Sequence, residues 1–232
     1  MYHHVNSTPP PSELEARLTT TDADFSRQLA YLSCAGYASV TLSQLFDGIY
    51  NGAPLPSKPV VITFDDGYAD AFTDAFPLLR QHGFGGTFSI VTAFVGQSGY
   101  LTWDQVQEMS RSSMEVASHS VNHTNLDKAP DDVVRAELAE SKRVLEEKIG
   151  RPVEFFTYPS GEPFFRGTVE RQRQVVEMVR EAGYRGALAV KNSLIEDPGA
   201  PYSLSRLRVT GGVDLRKFAE NIGGPLPETV GC

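Results

Sequence analysis

The chain has 232 residues, of which 41% are hydrophobic and 22% charged, and its 29 acidic and 21 basic side chains give a formal net charge of −8. A chain this long buries enough surface to fold without covalent staples, and its composition excludes disordered, collagen-like and coiled-coil classes. The acidic balance argues against a nucleic-acid partner, no apolar run approaches the ~18 residues of a membrane span, and the first residues do not read as an export signal. The two cysteines, Cys34 and Cys232, are too few for a disulfide framework or a thiolate metal site. Any metal therefore falls to histidines and carboxylates, and Cys34 is expected as a small residue near the core.

In chain order, the spacing of Phe25, Leu29 and Leu32 predicts a helix over 21–35 that stops at Gly36. A β-branched run predicts a strand over 59–64. The next helical pattern, 70–81, contains Pro77, which predicts a kink or a later start, with His82 at its C-terminal end. Strands follow over 86–91 and 114–118. The clearest helix is 130–149, with Val134, Leu138, Leu145 and Ile149 on one face, Pro130 at its first position, Asp131 and Asp132 in its first turn and Gly150 at its stop. A strand over 154–158, a helix over 171–182 and strands over 186–190 and 205–209 complete the series.

This alternation predicts parallel βα units in a barrel or an open doubly wound sheet. No linker interrupts it, so residues 1–232 are expected to form a single domain. Both architectures gather the loops at the strand C-termini around one cleft, and the reactive residues fall there. Asp65 and Asp66 follow the strand 59–64, His119 follows 114–118 with His123 four residues later, and Tyr158-Pro159-Ser160 ends the next strand. Two imidazoles and one carboxylate, with an open position, make a catalytic zinc site. A neighbouring carboxylate then serves as general base. Adjacent residues on an extended segment point opposite ways, so Asp65 and Asp66 are expected to play different parts.

Thr63-Phe64-Asp65-Asp66-Gly67 and His119-Ser120-Val121-Asn122-His123 resemble the first two motifs of the polysaccharide deacetylases, the NodB-like or carbohydrate esterase family 4 enzymes, and the resemblance runs from Tyr2 to about Val209. It implies a distorted (β/α)7-type barrel and metal-dependent hydrolysis of N-acetyl groups on a glycan. It also implies Asp66, His119 and His123 as ligands of one divalent ion, with Asp65 as the base. Zinc is the expected metal, with cobalt, nickel and iron as alternatives.

Further stretches resemble the exported poly-β-1,6-N-acetylglucosamine deacetylases of biofilm systems: Tyr2-His3-His4-Val5, Gly36-Tyr37, Leu101-Thr102-Trp103-Asp104, Phe155-Phe156-Thr157-Tyr158-Pro159 and Arg206-Leu207-Arg208-Val209. By that match His3 helps to protonate the leaving amine. The backbone N–H of Tyr158 is the implied oxyanion donor, Pro159 belongs to the same substrate-binding turn, and Leu207 is the expected wall for the acetyl methyl. The chain departs from the wider family in two places. Thr157 stands where many members carry an arginine beside the base, and Leu207-Arg208-Val209 lacks the usual histidine.

The substrate expected is a poly-β-1,6-N-acetylglucosamine-like polysaccharide met outside the cytoplasm by a monomer, with the export or anchor segment absent from this chain. Peptidoglycan, chitin oligomers, an O-acetylated glycan, or a non-catalytic glycan-binding role are the alternatives. Trp103 and Tyr100 are candidates for sugar stacking, Trp103 being expected rather to be structural, and Asp70 and Asp74 are expected to be solvated or capping residues.

Overall fold

The computed structural model describes residues 1–112, 114–194, 197 and 199–230. At its centre Thr63–Phe64, Thr87–Ile90, Glu115–Ser118, Phe155–Thr157 and Gly186–Leu188 form a five-stranded sheet whose spatial order is its chain order. Every neighbouring pair is parallel, as it must be when each crossover carries the chain back to the same end of the sheet.

The sheet curls, and single bridges extend both of its edges. Tyr2 pairs with Phe64 on one side and Leu204 with Leu188 on the other. The Val209 N–H then donates to the Met1 carbonyl at 3.0 Å, so the first and last segments meet. The result is an α/β domain of the distorted (β/α)7-type.

Of the six predicted strands, the first five are present in shorter form and the sixth, 205–209, is absent. The run 59–64 divides: Pro59–Val60 pairs with Ala38–Ser39 outside the main sheet, and only Thr63–Phe64 joins the centre. The segment 205–209 forms no ladder beyond the Leu204 bridge.

The helices follow the apolar spacing closely. Asp131–Ile149 buries Val134, Leu138 and Leu145 and ends at Gly150 with φ 68°, although Pro130 caps the helix instead of opening it. Asp22–Cys34 buries Phe25, Leu29 and Leu32 behind a Thr21 cap. Val169–Glu181 starts two residues earlier than the pattern suggests, because the Thr168 side chain caps Arg171 N–H. Around Pro77 the chain makes a π-helical turn, Ala71–Ala75, and then an α-helix, Phe76–Gln81. Proline has no N–H for the carbonyl four residues back, and the wider turn absorbs that loss. Cys34 is exposed, so it is not the small core residue expected from sequence; Cys232 lies outside the described residues.

Leu42, Ala117, Phe155, Leu188 and Leu204 pack the floor of the barrel, and aromatic rings join the sheet to its helices. Phe64 stacks on Phe88 with ring centres 4.8 Å apart, and Tyr2 lies against Phe64 and edge-on to Phe25. Among the described residues no helix is long and apolar enough to cross a membrane. With this floor packed, chemistry is confined to the strand C-termini, where Asp65, His119 and Tyr158 emerge.

Candidate active site

Among the described residues five non-glycine residues have positive φ: Asp66 (73°), Ser120 (67°), His123 (56°), Ser160 (55°) and Asn192 (50°). Four of them line one cavity of about 830 Å³ at the strand C-termini, and Ser120 follows His119 in its wall. Such conformations cost on the order of 1 kcal/mol or more each and persist where the surroundings enforce them.

One carboxylate and two imidazoles converge in this cavity. Asp66 Oδ1 lies 3.3 Å from His119 Nε2 and 3.4 Å from His123 Nε2, and one donor atom from each residue falls within 4.8 Å of the others. Asp66 Oδ1 is buried and has no hydrogen-bond partner, an arrangement that a cation between these atoms satisfies. His119 Nδ1 is 2.8 Å from the Thr157 carbonyl. A carbonyl only accepts, so Nδ1 carries the proton and Nε2 presents its lone pair to the cavity. The donor set fits a divalent ion of the zinc type.

Glu137, on the long helix, holds the loop that carries His123. It accepts the N–H groups of Val121 and Asn122 at 2.8 and 2.9 Å and the Asn122 amide at 2.6 Å. Burial pushes its carboxyl up, but the Asn122 side chain and the backbone donors more than offset this and leave it below its ordinary value.

Asp65 turns away from Asp66 and meets Arg206 Nη1 at 2.6 Å, with only 5% and 4% of the two side chains exposed. Arg206 is fixed in turn by the Ala189 carbonyl at 3.2 Å. Burial alone would raise the Asp65 carboxyl; the guanidinium, with His119 and His3, overrides it and holds the group far below the usual carboxylate range. His3 lines the same cavity. Burial lowers its pKa, and the nearby Asp65 and Asp66 charges only partly counter this. His4 points elsewhere: its Nδ1 is 2.7 Å from Asp70 Oδ2 and its ring stacks on Tyr68.

The model of the polysaccharide deacetylase family matches residues 52–187. The chain belongs to that family. It is therefore a hydrolase of N-acetyl amide bonds in polysaccharides. YxkH of Bacillus subtilis is 24% identical over 222 residues, which cover 96% of this chain and 74% of that protein. The poly-β-1,6-N-acetyl-D-glucosamine N-deacetylase of Escherichia coli K12 is 34% identical over 111 residues, covering 41% of this chain and only 16% of the relative's length. The fold matches that of the Streptococcus pyogenes deacetylase PplD, solved in complex with acetate, with a TM-score of 0.85 over 95% of both chains at 23% identity.

Within this deacetylase the remaining predicted residues are placed differently. Tyr158 lines the cavity, but its N–H already donates to the Leu188 carbonyl at 3.1 Å and its hydroxyl to Tyr202 O at 2.9 Å. That N–H is engaged in the sheet and is not an oxyanion donor. Pro159 is buried behind the wall, which Ser160 and Gly161 form. Leu207 faces a different, mainly apolar cavity with Met1, Leu32 and Phe218, so it does not wall the acetyl pocket. The neighbouring Arg206 reaches Asp65, and Arg208 lines the catalytic cavity.

Tyr100 stacks on Tyr68, and neither it nor Trp103 lines the cavity. Asp70 is mostly buried beside His4 and Asn6, not solvated. Sequence reading also passed over Glu137 and the role of Arg206. An acidic residue beside Val134 and Leu138 on a buried helix face was the available signal for the first. The second was present only as part of an alternating stretch, with nothing local to connect it to Asp65.

Proposed function

We propose that this chain, as one domain over residues 1–232, removes N-acetyl groups from an N-acetylglucosamine polymer of the poly-β-1,6-linked type. The observation that carries the reading is the convergence of Asp66, His119 and His123 beside an Asp65 that is buried, ionised and aligned by Arg206. A pure binding module has no use for such a base. The partial match to the E. coli deacetylase supports the choice of polymer, as does His3 on the cavity wall.

Asp66, His119 and His123 would hold the divalent ion, with zinc as the proposed metal. When bound, that ion supplies a Lewis acid that polarises the acetyl carbonyl and acidifies water. Asp65 accepts the proton of the attacking water as its oxygen bonds to the acetyl carbon. Arg206 keeps Asp65 ionised and aimed. Pro159 has no N–H and Tyr158 has committed its own, so the proposed oxyanion donor is the next backbone N–H, that of Ser160 on the cavity wall. His3 gives a proton to the nitrogen as the C–N bond breaks, leaving acetate and a free amine. All of these groups come from one chain, consistent with a working monomer. The polymer lies outside the cytoplasm, so the proposed place of action is extracytoplasmic, on biofilm or cell-wall glycan.

The test is acetate release by metal-loaded protein from poly-N-acetylglucosamine, chitin oligomers, peptidoglycan and acetylated xylan. Release from the first, abolished by a chelator and restored by metal, is the expected result. Preference for another member reassigns the polymer, and silence from protein holding one metal per chain overturns the catalytic reading.

A further inference from the structure

The mouth of the cavity carries three arginines, Arg17, Arg166 and Arg208, each exposed. Among the described residues none of the three guanidinium groups is in an ion pair, as is also the case for Arg80, Arg111, Arg151 and Arg173 outside the cavity, so what sets the three apart is that they share one cleft. The acids of the cavity are already engaged. Asp65 is taken by Arg206 and Asp66 belongs to the metal set. Glu162 is buried and accepts the Arg166 backbone N–H at 2.9 Å. The chain as a whole is strongly acidic at −8, so the positive rim is local to the cleft. Arg208 stands near enough to His3 to lower its pKa. Arg166 lies over the exposed ring of Phe165, also on the cavity wall, with 5.2 Å to the ring centre.

Hydrolysis changes the charge of the substrate. Each turnover converts a neutral amide into an amine that takes up a proton, so a processed strand is a polycation and an unprocessed one is neutral. We propose that Arg17, Arg166 and Arg208 act as a charge filter, admitting acetylated stretches and rejecting strands whose neighbouring sugars already carry ammonium groups. Like charges brought together in a cleft mouth repel, so the filter separates successive cleavages and speeds departure of product. Modification along a strand is then dispersed instead of blockwise. This inference rests on the deacetylase reading of the same cavity.

The test compares kcat/KM for acetate release from a fully acetylated N-acetylglucosamine oligomer and from the same oligomer with its flanking sugars already deacetylated. The parent protein, R17Q, R166Q, R208Q, the triple variant and R173Q, an exposed arginine outside the cavity, are measured at low and high salt. The parent is expected to favour the fully acetylated oligomer about five- to tenfold at low salt, and less as salt screens the rim. R173Q keeps that ratio and the triple variant loses it. A merely structural role would lower both rates and leave the ratio in place. A parent ratio near one, or a triple variant that keeps the parent's ratio, overturns the filter while leaving the deacetylase intact. Absence of release from the fully acetylated oligomer by metal-loaded parent overturns the deacetylase reading and the filter with it.

Discussion

Arg206 Nη1 sits 2.6 Å from Asp65 Oδ1 across a sequence separation of 141 residues, and both side chains are almost wholly buried. The contact exists because the barrel closes. The Leu204 bridge and the Met1–Val209 hydrogen bond bring the last segment beside the strand that carries Asp65. A buried pair of this kind is poorly replaced by half of itself. Arg206→Met is expected to destabilise the fold by about 3–5 kcal/mol, because it strands the Asp65 charge. Asp65→Asn in the same background should recover part of that loss, although not the activity. Chemical denaturation of the two single variants and the double variant measures the coupling. Additive effects would show that the pair does not act as a unit.

Glu137 makes a different prediction, for the loop and not for the base. Glu137→Gln removes charged acceptors from two backbone N–H groups and the Asn122 amide. The expected loss is about 2 kcal/mol of stability, with metal affinity weaker by roughly 10–100-fold as His123 loses its support. The pH sense follows from the lowered carboxyl of Glu137. A group whose folded-state pKa lies below its unfolded value contributes stability above the unfolded value and loses it as pH falls through the folded one. The gap between parent and Glu137→Gln should thus be full at neutral pH and close on acidification below about pH 4. Paired denaturation curves across that range check it, and a gap that persists in acid would assign the effect to packing.

These two residues also mark where sequence reading stops. Asp65, Asp66, His119 and His123 were legible because each follows a strand and each is a reactive type in a short motif. The long helix was legible from Val134, Leu138 and Leu145, since a 3.6-residue period survives in one dimension. Arg206 as the partner of Asp65 was not, because a contact made by barrel closure leaves no trace within either segment. Thr157 brings no guanidinium to the base. The guanidinium nevertheless returns from another stave, while Thr157 orients His119 through its backbone carbonyl, which no side-chain motif records. Leu207 was misplaced because the segment 205–209 reads as a strand in sequence but forms no ladder, so alternation does not set which way its side chains turn.

His3 and His4 are adjacent and should separate cleanly in experiment. His3 lines the cavity, whereas His4 binds Asp70 and stacks on Tyr68. His3→Gln is expected to lower kcat by roughly 10²–10⁴-fold, the range for removal of a general acid, with one metal per chain retained. His4→Gln is expected to act on stability, by about 1 kcal/mol through the weakened Asp70 bond, and only modestly on kcat. Metal analysis, melting curves and acetate release on both variants decide between these roles. Equal losses of kcat would place both histidines in the chemistry, and an unchanged kcat in His3→Gln would remove His3 from it.

Leu207 offers the complementary control on the geometry of the last stave. Leu207 lines the mainly apolar cavity that Met1, Leu32 and Phe218 also line, and not the one that holds the metal ligands. Shortening it therefore removes apolar contact from the body of the barrel and leaves the acetyl pocket unchanged. Leu207→Ala is expected to cost about 1–2 kcal/mol, less than a fully buried leucine because the side chain is only partly enclosed. The KM for an acetylated oligomer should stay within about twofold of the parent value, since no substrate contact is lost. Steady-state kinetics beside a denaturation curve tests both halves. A raised KM with unchanged stability would put residue 207 in the acetyl pocket.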